Sequence, residues 1–483
     1  MSSYQKFTKS FSIITIINAL VILERLIFLP LITKRLGAIS YGIWAQFGIT
    51  LGLATTFCML GLPGALVRFL AAEKERKEIQ EGVYSVLAII FAIGLFIALP
   101  FTIFSPNIAN FFQSDTILVR ILGFTILFEC LNLVLFSILK AFQQMEKYAF
   151  FMISEVIAEV SLISLAIFSG YGINEATTLF LAIRIGLFLI LFFIILRQIG
   201  IKAPKFLPIR KYLSFGLPQV GSSAAYWVVT SSDRYLIGLF LGTLFVGYYS
   251  PSYSIGNFIN FYLYPFAVML PPVLAKLFDE KEIDKVKTYL KYCLKYFLLI
   301  AVPSVFGLSF LSKQFLLILS TQEIAENAFY VTPFIALSIL LYGISSIYSE
   351  ILSLVKKTKT VAYIWFTAAI LNLIFNIIFI PHFGILSAAI DTLVSYSFAF
   401  FLTWYFSFKE LRFEIDWKFI VKSILASILM ILFIIWFNPT GLSQTLIAII
   451  LGALLYGILI FLLKGFSKKE IEFLKEFLKR FYK

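Results

Sequence analysis

Arg35-Leu36-Gly37-Ala38-Ile39-Ser40-Tyr41-Gly42-Ile43-Trp44 joins two long apolar runs. A version of it returns roughly two hundred residues later as Leu241-Gly242-Thr243-Leu244-Phe245-Val246-Gly247-Tyr248-Tyr249. The Leu-Gly, the spacing to a second Gly and the aromatic positions are shared. The second copy also follows an apolar run that ends in charge, at Asp233-Arg234. One connector used twice predicts one bundle used twice, and the rest of the sequence can be read against that expectation.

Outward from the connector the chain is a series of apolar runs. A membrane-crossing helix needs roughly 20 mainly apolar residues, and about fourteen such runs are present. The first six are Phe11–Ile32, Trp44–Leu66, Val83–Phe104, Ile117–Leu139, Phe150–Phe168 and Thr177–Leu196. The next six are Tyr212–Ser232, Val246–Leu270, Tyr292–Leu311, Phe329–Leu352, Val361–Ile380 and Ile385–Phe406, and Phe419–Phe437 and Leu446–Leu463 close the series. The fold class is therefore an all-α polytopic membrane protein. It has two pseudo-symmetric six-helix bundles plus two C-terminal helices. The domains predicted are 1–200, 201–412, 413–465 and an amphipathic segment 466–483.

Composition agrees. The chain is 60% hydrophobic and 14% charged, against about a quarter charged for a soluble globular protein. The net charge of +14 sits in short loops between apolar runs, so it does not describe a nucleic-acid surface. Alternate loops carry the Lys and Arg: Glu73–Glu81, Arg197–Lys211, Lys276–Lys291, Lys356–Lys359, Lys409–Lys422 and Lys464–Lys483. That bias predicts a multi-pass protein of the cell (plasma or inner) membrane with both termini cytoplasmic. In the last segment Ile471, Leu474, Leu478 and Phe481 share a stripe, with lysines mostly elsewhere. It reads as an interfacial helix on anionic lipid, the alternative being a frayed basic tail.

Chemistry that needs covalent or metal catalysis has no visible home. Cys58, Cys130 and Cys293 show no pair spacing and read as small core residues. His382 is the single histidine, and no metalloprotease, nucleophile-elbow or P-loop motif occurs. The reading is a non-enzyme without a cofactor.

The repeat continues past the connector. Ile138-Leu139 aligns with Ile351-Leu352 and Ala149 with Ala362; Gly172-Ile173 and Ala176 align with Gly384-Ile385 and Ala388. Each unit has an even number of spans, so both copies enter from the same side, an arrangement that puts a substrate site between two halves.

Ionisable residues inside apolar runs are the functional candidates, because charge at membrane depth is costly. The first bundle has Glu24, Arg25, Glu129, Glu155, Glu159 and Arg184. Glu155 and Glu159 lie one turn apart, close enough to disfavour double ionisation. They read either as proton carriers or, with Arg184, as a static ion-pair network. Arg25 is the candidate for an anionic substrate, because guanidinium binds phosphate oxygens bidentately and stays charged. In the second bundle Asp233, Asn372, Asn376, Asp391 and Thr392 supply the hard oxygens a Na⁺ site needs. The alternative is interhelical hydrogen bonding by the asparagines and pairing of Asp233 with Arg234. Pro218, Pro265, Pro271-Pro272, Pro303 and Pro333 punctuate the spans. Tyr248, Tyr249, Tyr253 and Tyr262 read as partly interfacial belt.

With these residues in place, the chain resembles the polysaccharide (O-antigen) repeat-unit flippases, the Wzx-type members of the multidrug/oligosaccharidyl-lipid/polysaccharide exporter superfamily. The resemblance rests on Arg35-Leu36-Gly37 to Tyr41-Gly42, Gly61-Leu62 to Val67-Arg68, and Phe142-Gln143-Gln144-Met145-Glu146-Lys147-Tyr148. Phe215-Gly216-Leu217-Pro218, Ser232-Asp233-Arg234 and Gly247-Tyr248-Tyr249-Ser250 complete it. It implies two MATE-like six-helix lobes. They would move a polyprenyl-diphosphate-linked oligosaccharide to the outer leaflet by alternating access, with a Na⁺ or H⁺ gradient as coupling force. Arg25, Arg184, Glu24 and Glu129 are the candidates for the substrate cavity; the resemblance gives Arg25 the diphosphate and puts Asp233 near an ion site. It implies a lipid-linked oligosaccharide and membrane lipids as partners, together with polymerase or glycosyltransferases of the same pathway. The two C-terminal helices match the peptidoglycan-precursor branch, where such a pair helps form a groove for the lipid tail. The sequence departs from the family in one respect: its first bundle holds four acids against two bases. That leaves a Na⁺- or H⁺-coupled multidrug or metabolite exporter of the same fold as the alternative.

Overall fold

A computed structural model describes residues 3–71, 73, 75–206, 209–466 and 470, and they are helical almost throughout. The first half is α1 (Ser3–Cys58), α2 (Leu62–Leu70), α3 (Arg76–Ile103), α4 (Ser105–Phe112), α5 (Thr116–Ala141), α6 (Met145–Phe168) and α7 (Ile173–Ile199). Then come α8 (Ile209–Phe240), α9 (Thr243–Gly256), α10 (Asn260–Asp279), α11 (Ile283–Phe310), α12 (Ser312–Leu319) and α13 (Gln322–Ala328). The chain continues with α14 (Val331–Leu354), α15 (Thr358–Phe383), α16 (Ile385–Glu410), α17 (Trp417–Phe437) and α18 (Gly441–Leu462). The amphipathic stripe Ile471–Phe481 lies outside the described residues.

The fourteen predicted runs fall on these helices. Among the described residues eleven helices are long and apolar enough to cross a membrane, or twelve if the bent pair Ala19–Cys58 and Leu62–Leu70 is one span. Phe11–Ile32 and much of Trp44–Leu66 are two arms of one 56-residue helix, broken at Gly37 (φ 85°, ψ 177°). The second connector breaks at Gly242, φ 97°. A Cβ is disfavoured at both angles, which is why glycine stands there. Pro218, Pro265, Pro271, Pro272 and Pro303 lie inside helices. Pro333 sits in the first turn of α14, where no intrahelical donor is lost.

Helix bounds carry the repeat further than residue identities do. α3 and α11 start at Arg76 and Ile283 and end at Ile103 and Phe310, an offset of 207 at both ends. The eight-residue helices α4 and α12 keep that offset. α5 ends at Ala141 and α14 at Leu354, and α6 starts at Met145 and α15 at Thr358, both 213 apart. The extra helix α13 lies between these two sections, where the offset changes.

Packing groups the chain into two compact units. One runs to Ser250 and takes in Leu319–Thr321 and Leu373–Gly384; the other holds Pro251–Ile318, Gln322–Asn372 and the described residues from Ile385 on. The predicted lobes 1–200 and 201–412 follow the repeat rather than this packing. In the first unit α5 is the central helix, 78% buried across its apolar window, while its repeat mate α14 is the most buried span of the second, at 56%. A helix apolar on all sides belongs in the middle of a bundle. Cys58 and Cys130 lie in the core of the first unit.

Two glycines bring helix backbones together in the first unit. A Cβ on Gly42 would meet the Thr243 carbonyl and the Gly247 amide, and a Cβ on Gly247 would meet the Ala38 carbonyl. In lipid, where apolar burial gives no drive between helices, such close backbone approach supplies the packing.

In the second unit Lys295 on α11 is buried. Its Nζ lies 2.9 Å from Glu470 Oε2 and 3.5 Å from Asp416 Oδ2, and Tyr296 Oη donates to Glu470 Oε1 at 3.2 Å. Tyr456 on α18 donates to the Leu299 carbonyl at 2.9 Å, tying that helix to α11.

Candidate functional site

Glu129 on α5, Glu155 and Glu159 on α6, and Arg184 on α7 converge in the first unit. Arg184 Nε lies 2.9 Å from Glu129 Oε2 and its Nη2 lies 2.9 Å from Glu159 Oε1. Its Nη1 faces Glu155 Oε1. The spacing explains the arrangement: residues 155 and 159 occupy one helix face, and one planar fork with five donors can serve several carboxylates at once. Glu155 and Glu159 are buried, and the Arg184 side chain is 12% exposed.

The arginine is held on its other sides as well. Asn132, one turn from Glu129 on α5, donates to the Arg184 carbonyl at 2.9 Å. The guanidinium lies over the Phe180 ring, 4.5 Å from its centroid. Phe180 meets Trp44 edge-on at 5.8 Å and Phe47 at 6.0 Å, and Trp44 meets Phe28 at 5.5 Å. Glu24 on α1 lies beside Glu159 and joins the group. The cluster therefore has four carboxyl groups around one guanidinium. A site of that composition stores protons or cations more readily than it binds an anion.

Arg25 stands apart. It is exposed, and no carboxylate pairs with it among the described residues. Its neighbour Glu24 is turned into the cluster, since consecutive residues point about 100° apart on a helix. Of the two cavity arginines predicted, one is taken up by acids and the other is available.

Asp233 is fully buried on α8. Tyr249 Oη donates to its Oδ2 at 2.6 Å and the Arg234 amide donates to its Oδ1 at 2.8 Å. Tyr248, Tyr249 and Tyr253 are buried, which corrects their reading as interfacial belt. Tyr249 sits inside because its hydroxyl has a buried carboxylate to satisfy. Asn376 belongs to the first unit, while Asn372, Asp391 and Thr392 belong to the second. All four are buried, and Thr392 Oγ1 donates to the Ala388 carbonyl at 2.9 Å. Among the described residues no three His, Cys, Asp or Glu side chains gather as a metal-ligand set.

Asn132, Phe180 and Tyr249 were not singled out as site residues from sequence. Asn132 had a signal, because a polar residue one turn from Glu129 shares its face. Phe180 had none among so many aromatics, and Tyr249 stood out only through the repeated connector and the tyrosine belt.

A family profile described as "Polysaccharide biosynthesis protein" matches residues 7–278, and one described as MatE matches residues 218–378. The chain is 26% identical over 433 residues to a probable low-salt glycan biosynthesis flippase of Haloferax volcanii, covering 88% of this chain and 89% of that one. It is 23% identical over 416 residues to an uncharacterized membrane protein of Methanocaldococcus jannaschii, covering 79% of each. Among solved structures, the lipid II flippase MurJ in an inward closed conformation superposes with a TM-score of 0.74 at 22% identity, over 93% of this chain and 98% of that one. A MOP superfamily transporter from Pyrococcus furiosus superposes with a TM-score of 0.53 at 13% identity, over 81% and 95%. These two likenesses show a shared fold.

Proposed function

Because the chain belongs to the polysaccharide biosynthesis protein family of the MOP superfamily, we propose that it is a flippase for a polyprenyl-diphosphate-linked oligosaccharide. It moves this lipid from the cytoplasmic to the outer leaflet by alternating access, for export of a polysaccharide or glycan. The single structural observation that carries the reading is the contrast between Arg184 and Arg25. Glu129, Glu155 and Glu159 engage Arg184, so they leave Arg25 unneutralised. An unpaired guanidinium is the group a diphosphate needs.

In this reading Arg25 holds the diphosphate, and Glu24, Glu129 and Arg184 line the same cavity. Glu155 and Glu159 carry a proton during the cycle. Asp233, with Asn372, Asn376, Asp391 and Thr392, is the competing Na⁺ route. The oligosaccharide arrives from glycosyltransferases and leaves to a polymerase or transferase of the same pathway. The loop-charge bias supports cytoplasmic termini in the cell membrane.

The test is outward movement of a labelled lipid-diphosphate sugar in proteoliposomes, comparing wild type with Arg25→Ala and Arg25→Lys. Loss of movement with alanine and partial retention with lysine is expected. Unchanged movement in both variants removes Arg25 from the mechanism, and no movement by the wild type sinks the flippase reading. The acidic cluster favours one second reading, export of a cationic drug or metabolite. Proton-driven extrusion of a cationic dye by the same vesicles, without lipid movement, would establish it.

A further inference from the structure

Two cavities occupy matching places in the repeat. One, of about 510 Å³, lies where α5 turns into α6 beside the end of α7, with Arg76, Gln143, Gln144 and Gln198 in its wall. The other, of about 420 Å³, lies where α14 turns into α15 beside the end of α16. The turns match bond for bond. The Gln143 amide donates to the Lys140 carbonyl and the Gln144 amide to that of Leu139. At an offset of 213, the Lys356 amide donates to the Ser353 carbonyl and the Lys357 amide to that of Leu352. Gln143 and Lys356 both take a left-handed conformation, with φ of 56° and 61°.

Only the side chains differ. Where the first turn has Gln143-Gln144, the second has Lys356-Lys357, followed by Thr358, Lys359 and Thr360. The same backbone forms with glutamine, so the turn itself does not require lysine. Like charges this close repel one another. Only Lys357 is compensated, by Glu410 at 2.7 Å, which stands where the first cavity has Gln198. Lys356 and Lys359 have no carboxylate partner among the described residues. The same cavity is walled by Leu352 and Phe406. A wall that is cationic at one side and apolar at the other suits a ligand with an anionic head and an apolar body.

We propose that the cavity at the α14–α15 turn, formed by Lys356, Lys357, Lys359, Leu352 and Phe406, binds a phosphate group, as carried by an anionic phospholipid. The ammonium groups donate to phosphate oxygens, and the half-buried Phe406, backed by the buried Leu352, packs against the acyl end. Its repeat mate has glutamines at the matching turn positions, and the charges in its wall, Glu73 and Arg76, are of opposite sign. The loop-charge bias puts the cavity at the cytoplasmic leaflet, where anionic lipid is concentrated. The site is independent of the flippase reading.

The test uses the full chain in neutral detergent, titrated with a short-chain phosphatidylglycerol, with phosphatidylcholine of the same chains, and with inorganic phosphate. Native mass spectrometry reads occupancy. The variant Lys356→Gln/Lys359→Gln moves the cavity toward the chemistry of its mate, and both positions are exposed, so folding is retained. The control Lys285→Gln/Lys287→Gln removes two lysines elsewhere. Phosphatidylglycerol affinity is expected to fall roughly 30-fold in the cavity variant, to stay unchanged in the control, and to exceed that for phosphatidylcholine in the wild type. Displacement by inorganic phosphate makes phosphate alone sufficient, and failure to displace assigns the site to the lipid; both uphold the site. Equal affinity of wild type and cavity variant, equal loss in the control, or no preference over phosphatidylcholine overturns it.

Discussion

Gly42 and Gly247 hold matched places in the two connectors and lie against each other's helices: each leaves room for backbone that a side chain would displace. The contact is reciprocal. Gly42 faces Thr243 and Gly247 faces Ala38, and Ala38 and Thr243 are themselves matched positions. A patch meeting its own copy in this way is the mark of two-fold packing. Alanine at either position is expected to lower stability by about 1–3 kcal/mol, because the obstructing atoms are backbone and cannot rotate away. Gly48→Ala, on the same helix but with open space around it, is the control and should cost nothing. Thermal unfolding of the purified variants reads the difference.

Arg184→Ala is expected to cost about 3–5 kcal/mol, because it strands buried carboxylates. Arg184→Lys retains charge but cannot span Glu129, Glu155 and Glu159 together, so it should fall between. Adding Glu155→Gln and Glu159→Gln to Arg184→Ala should recover much of the loss. Denaturation midpoints in one detergent decide, and an Arg184→Ala protein as stable as wild type refutes the bond network.

Tyr249→Phe and Asp233→Asn should each destabilise, and the double variant should lose less than their sum. The coupling expected for a buried hydrogen bond to a charged group is about 1.5–3 kcal/mol. Strict additivity would show that Tyr249 and Asp233 do not act together. If Asp233 also holds a coupling ion, Tyr249→Phe frees an oxygen and should change the Na⁺ dependence of transport; unchanged dependence counts against that role.

Much of the fold was legible because lipid leaves the chain few choices. Runs near twenty apolar residues must be helices, and the loop lysines mark their ends. The shared glycines of the two connectors are plain in the sequence, but their roles divide: Gly37 and Gly242 take positive φ, whereas Gly42 and Gly247 are packing residues, a role that depends on which helix lies opposite. The site divides in the same way. Glu155 and Glu159 share a face by spacing alone, and pairing of Glu159 with Arg184 was one of two open readings. That Glu129 joins them on a third helix, or that Arg184 rather than Arg25 is neutralised, depends on how α5, α6 and α7 pack.

Acid should weaken one surface contact in the second unit. Lys291 Nζ lies 2.7 Å from Glu414 Oε2, and this hydrogen bond holds the Glu414 carboxyl below its ordinary 4.5. A folded value below the unfolded one means the contribution is complete above about pH 4.5 and is lost as pH falls through the folded value. The stability gap between wild type and Lys291→Gln should therefore be constant near neutrality and close in acid. Because Glu414 is exposed the gap is small. A gap that widens in acid would reverse the assignment.

The pairing of Lys295 with Glu470 has a consequence in polymer terms. It joins positions 175 apart, so the chain from α12 to α18 is closed into a loop that returns to α11. The entropy of closing a loop rises only with the logarithm of its length, and most of it is already met where α17 and α18 pack on α11. The ion pair therefore works as a clasp on a ring that is nearly shut. A chain shortened before Glu470 would keep the ring but leave Lys295 as a buried cation facing Asp416 alone.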